Sequence, residues 1–93
     1  MKWIRLSEIV NQIAQRKVEL VMSLQAQSDY RAALIKQGDT IVIYLNMAYN
    51  KTDDEIIESI AHELAHLQVD KHTNRFYEEY ERLKNEIKQK MEV

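Results

Sequence analysis

Cysteine is absent from the sequence. That single absence removes a disulfide framework, a Cys-ligated zinc and a thiol nucleophile. Proline is absent too, and glycine occurs once, at Gly38. With so little punctuation for long loops, the elements should be joined tightly. Long apolar runs are also missing. The longest, Ile41-Val42-Ile43-Tyr44-Leu45, falls far short of the ~20 residues a membrane span needs. The opening MKWIRLSEIV lacks the apolar core of a secretory signal. Neither sign of charge dominates: thirteen Lys+Arg against fifteen Asp+Glu leave a net charge of -2. That balance argues against a nucleic-acid binder relying on a general basic surface. What remains is 93 residues, 45% of them apolar, enough for one domain with a thin core. A chain of this size buries only ~60% of its unfolded surface. The expectation is a soluble, cytoplasmic, single-domain protein with no membrane partner.

No repeat, low-complexity tract or linker composition interrupts the chain. Residues 7–16 read as a short helix, with Ser7 as its cap and Ile9, Val10, Ile13 and Ala14 on one face. From Lys17 the apolar period changes to two. Val18, Leu20, Met22, Leu24 and Ala26 alternate with more polar neighbours, as in a strand with one buried side. Gln27-Ser28-Asp29 is turn chemistry, and residues 30–37 form a second strand candidate. Gln37-Gly38-Asp39 offers the one glycine where a tight turn needs positive φ. Residues 40–47, rich in β-branched and aromatic side chains, read as a third strand. Two short connections in series imply an antiparallel meander within residues 17–47.

Thr52-Asp53-Asp54-Glu55 then forms a capping box, and its acidic residues suit the positive end of a helix. Over residues 52–69, Ile56, Ile57, Ile60, Ala61, Leu64 and Leu67 share one apolar arc. A last helix over residues 73–92 carries the stripe Phe76, Tyr77, Tyr80, Leu83, Ile87 and Met91. The order is α-β-β-β-α-α. This is an α+β domain in which helices cover a small, largely antiparallel three-stranded sheet.

Opposite the apolar arc of the capped helix lies His62-Glu63-Leu64-Ala65-His66, an HExxH. Histidines four apart project from one helical face, close enough to chelate a single Zn2+. Glu63 sits beside that position, where a carboxylate can take a proton from water activated by the metal. A lone helical histidine is usually a solvated side chain, but all three histidines of this chain fall within residues 62–72. A catalytic zinc takes three protein ligands and keeps one position open. The candidates for the third are His72, Asp70, Glu78 and Glu79. On an unbroken helix His72 would be rotated roughly 240° past His66 and point away. The polar run Asp70-Lys71-His72-Thr73 allows the helix to end near Val69 instead.

The segment HELAHLQVDKHTNRFYEEYERL resembles the minimal soluble metallopeptidases called minigluzincins. It is also similar to the HExxHxxxxxH core of WLM-type proteases, in which a small polar residue and an aromatic pair follow the third histidine. Here those positions are Thr73 and Phe76-Tyr77. Minigluzincins in turn resemble catalytic domains of membrane peptidases of the HtpX kind without their membrane helices. The resemblance implies His62, His66 and His72 as zinc ligands, Glu63 as general base and a peptide or unfolded protein as substrate. It further implies latency through the C-terminal segment, within one chain or by exchange in a homodimer. A metzincin is not matched, because Val69 stands where that family needs glycine. The gluzincin likeness also favours residues 40–47 as an edge strand lining the cleft. Asn46, Ala48 and Tyr49 would then lie near bound substrate.

A second class of function competes. In it the zinc is structural, closed by Glu78 or Glu79, and the stripe of the last helix is a dimer or partner interface. Glu63 separates the two, since a structural site needs no carboxylate there.

Overall fold

The computed structural model describes residues 1–92. Its elements are α1 (Trp3–Ala14), β1 (Val18–Ser23), β2 (Ala32–Gln37), β3 (Thr40–Asn46), α2 (Asp53–His66) and α3 (Asn74–Met91). The α+β order matches the sequence reading. Helix α1 begins four residues before the expected start, so Ser7 lies inside it and caps nothing; the residue at its N-cap, Lys2, makes no side-chain cap. The helix stops at Gln15, which takes a left-handed φ of 55°, the usual C-terminal geometry even where no glycine is present. Asn11 then steers the chain into β1. Its Nδ2 donates to the Ser7 and Val18 carbonyls, and its Oδ1 accepts from the Val18 N–H at 2.8 Å.

The sheet departs from the meander. Its strand order is β1-β3-β2, with β1 parallel to β3 and β2 antiparallel to it. Gly38, at φ +62°, makes the tight β2–β3 turn that pairs Gln37 with Thr40. The stretch 24–31 between β1 and β2 is long enough to carry the chain past the place where β3 will lie. Strand β3 is therefore central and cannot be the edge that a peptide joins, whereas β1 and β2 are the edges. Alternation also ends sooner than expected: β1 stops at Ser23, and Leu24 beyond it is exposed.

Helices α1 and α2 pack on one face of the sheet, and α3 packs against those two helices rather than on the strands. Val18, Ile41, Ile43 and Leu45 from the strands meet Leu6, Ile9 and Val10 of α1 and Ile57, Ile60, Ala61 and Leu64 of α2. Helix α3 adds Phe76, Leu83 and Ile87, all nearly inaccessible. Tyr77, expected in that stripe, instead faces outward and is 53% exposed. Among the described residues no helix is long and apolar enough to cross a membrane.

Two buried asparagines tie the strands to α2. Asn46 is wholly inaccessible; its Nδ2 donates to the Gln25 and Tyr30 carbonyls, and its Oδ1 accepts from the Gln25 and Ala48 N–H groups. Asn50 donates to the carbonyls of Arg31 and Asn46, and accepts from the Ser59 hydroxyl of α2 at 2.6 Å. Buried amides survive only when satisfied, and here their partners fix the start of β2 against α2.

Candidate metal centre

Helix α2 owes its start to local chemistry. The Thr52 hydroxyl accepts from the Glu55 N–H at 3.1 Å, while Glu55 Oε1 accepts from the Thr52 N–H at 3.0 Å. Its end matters more. After His66 the backbone tightens: Leu67 N–H bonds to the Leu64 carbonyl, and those of Gln68 and Val69 bond to Ala65. The chain then turns, and the Thr73 hydroxyl accepts from Phe76 N–H to open α3. This break returns His72 to the face that His62 and His66 already share.

The three histidines each offer one nitrogen, and these nitrogens all lie within 4.8 Å of one another. His66 and His72 stand 3.2 Å apart, Nε2 to Nε2. Tetrahedral zinc with Zn–N bonds of 2.0–2.1 Å would set its nitrogens about 3.3 Å apart, a separation that the His66–His72 pair matches, while the set of three spans up to 4.8 Å. Among the described residues no carboxylate joins the group. Glu79 is paired with Arg82, while Asp70 and Glu78 are exposed.

Phe76 forms the floor. Its ring is fully buried and lies 4.6 Å from that of His66, 4.7 Å from His72 and 5.2 Å from His62. Tyr77 stacks on the outer side of His72 at 6.2 Å. Burial, then the neighbouring His66 and His72 and the Arg31 charge, push the His62 pKa below the usual imidazole range. That favours the neutral ring, which is the form that binds metal. Burial alone pushes the Glu63 carboxyl up from its ordinary value, because a half-buried site disfavours its charged form.

His62 and Glu63 open onto a cavity of about 350 Å³. Its other walls are Tyr30, Arg31 and Ala32 at the start of β2, Glu58 and Ser59 one turn earlier on α2, and Tyr80 of α3. The sequence reading assigned no role to any of these six. Tyr80 stands near the motif in sequence but reads there as a packed stripe residue, Glu58 and Ser59 lie one turn before His62, and residues 30–32 arrive through contacts distant in sequence. Burial, with the Glu58 charge, raises the Tyr80 pKa. Asn46, Ala48 and Tyr49 do not line this cavity. The edge strand that borders it is β2.

The family model for the YgjP-like metallopeptidase domain matches residues 36–92, from the end of β2 through α3. Neither a curated protein nor a solved structure matches the chain. The match spans more than half of the chain, including the three histidines and Glu63, and the chain belongs to the YgjP-like metallopeptidase family.

Proposed function

We propose that this domain is a zinc endopeptidase of the minigluzincin type, with His62, His66 and His72 as ligands and Glu63 as general base. The observation that carries the reading is the convergence of three imidazole nitrogens beside a half-buried glutamate at the mouth of a cavity. Zinc held there would supply a Lewis acid that acidifies water and polarises the scissile carbonyl. Glu63 takes the proton of the attacking water and hands it to the leaving amine as the C–N bond breaks. Its burial suits both transfers, because a carboxyl with a raised pKa holds the proton between them. An extended peptide would pair with the free edge of β2, beside Ala32 and the cavity. That takes over the role expected of residues 40–47.

The competing interface reading finds less support. Phe76, Leu83 and Ile87 are core residues, and Tyr80 and Met91 pack against the core. A homodimer made by exchanging α3, or release of latency through it, would have to lift those side chains out of one core and into another.

The test is zinc stoichiometry together with hydrolysis of denatured casein. One zinc per chain, and cleavage abolished by Glu63→Gln with zinc retained, is the expected result. A chain that binds no zinc, or cleaves equally well without Glu63, would overturn the proposal.

A further inference from the structure

Addition of water to a peptide carbonyl moves the π electron pair onto oxygen, and that developing charge needs a donor aimed at it. The cavity wall holds few donors. Ser59 already gives its hydroxyl proton to Asn50 Oδ1 at 2.6 Å. The Tyr30 hydroxyl is paired with Ser23 Oγ at 3.2 Å. Glu58 and Glu63 are acceptors when ionised, Tyr77 lies outside the cavity, and Arg31, the other donor on the wall, is exposed to solvent. Tyr80 is different. Its hydroxyl makes no hydrogen bond to any described residue, yet its side chain lines the cavity with His62 and Glu63.

Position supports the same choice. Tyr80 stands one helical turn after Phe76, on the same face of α3. Phe76 underlies the three histidines, and Tyr80 rises beside His62, ring centroids 6.3 Å apart at 75°. Lys84 covers the Tyr80 ring at 5.3 Å, limiting its swing. A phenol is neutral at working pH, so it donates without itself losing a proton.

We propose that Tyr80 is a catalytic residue whose hydroxyl donates a hydrogen bond to the carbonyl oxygen as it becomes the tetrahedral oxyanion. The proposal rests on the metallopeptidase reading above. In this step water oxygen bonds to the carbonyl carbon, Glu63 receives the water proton, and the phenolic proton stays on Tyr80. When the C–N bond breaks, the electron pair returns to the carbonyl and the hydrogen bond relaxes.

The experiment compares zinc-loaded wild type with Tyr80→Phe and Arg31→Ala. It measures zinc affinity, kcat and KM on denatured casein, and the affinity of a phosphinic tripeptide against its carboxamide counterpart. The phosphinic group carries the tetrahedral anion and the carboxamide does not. Tyr80→Phe should keep zinc and KM within about twofold while kcat falls about 100-fold, the usual loss for one oxyanion donor. Phosphinic binding should weaken similarly, with carboxamide binding unchanged. Unchanged kcat and phosphinic affinity would overturn the assignment. So would a loss confined to KM or zinc, and so would selective loss in Arg31→Ala alone, which would move the role to the guanidinium. Failure of the underlying reading is seen separately, in a wild type that neither holds zinc nor cleaves.

Discussion

His72 places its Nε2 3.2 Å from that of His66, although α2, which carries His66, ends at that residue. The pairing depends on the tightened turn after His66 and on the Thr73 cap that starts α3. His72→Ala should therefore weaken zinc binding by at least about 100-fold, more than the loss of a supporting residue costs. A Glu78→Ala/Glu79→Ala double variant should stay within a few-fold of wild type. Competition with a chromophoric chelator measures both. The reverse ranking would make the site a glutamate-type centre.

Phe76 touches all three imidazoles from beneath. Phe76→Ala should cost about 3–5 kcal/mol, the usual loss for a buried aromatic ring, and should weaken zinc binding as the histidines lose their floor. Phe76→Leu should recover most of the stability. Urea unfolding of the zinc-free protein, followed by zinc titration, separates the two effects.

The parts of this fold that were legible in sequence are those set by near neighbours. The Thr52–Glu55 box and the His62–His66 spacing are written within a few residues; the box forms as expected, and the two histidine nitrogens lie within 4.8 Å of each other. Gly38 marked the β2–β3 turn for the same reason. Strand order was not legible, because alternation tells which face a residue takes and not which strand lies beside it. The stretch 24–31 contains no residue that forces an immediate return, and β1 pairs with β3 rather than β2. Asn46 misled in a related way. A polar residue at a strand end reads as available to substrate, but its partners Gln25 and Tyr30 are far back in the chain.

That burial gives a test. Asn46→Ala would strip partners from Gln25, Tyr30 and Ala48. It should cost about 3 kcal/mol, since buried groups left unsatisfied cost about 1–3 kcal/mol each with partial relief from water. The protein that remains folded should keep its KM on denatured casein. A raised KM at unchanged stability would restore Asn46 as a substrate contact.

The cap of α2 carries its own pH dependence. Thr52→Ala should cost about 1 kcal/mol. At Glu55, loss of hydration would raise the pKa, but hydrogen bonds from Thr52 and Lys51 and the Arg31 charge overcome it and hold it below its ordinary 4.5. A folded-state pKa below the unfolded one gives stability that is present above the unfolded value and lost as pH falls through the folded one. The difference in Tm between wild type and Glu55→Gln should accordingly be widest near neutrality and close below about pH 4. A gap that persists into acid would mean that the glutamate charge contributes nothing.

Glu63 has the opposite sign. Burial lifts its pKa above the ordinary 4.5, so between that value and the raised one the zinc-free native state binds more protons than the unfolded chain. Stability then falls as pH rises through this window, and the full penalty persists above it. Glu63→Gln removes the charge that burial disfavours. In chelator-treated protein it should raise Tm at pH 7 and leave it unchanged below about pH 4, where wild-type Glu63 is protonated in both states. The depressed His62 value does not confound the comparison, because both proteins carry that histidine. The same substitution should lower kcat about 10³-fold, within the range for loss of a general base. A carboxylate that destabilises its own fold while being required for turnover is held in place by function. Equal Tm values at pH 7 would instead place Glu63 in contact with water, and would remove the physical reason for its raised pKa.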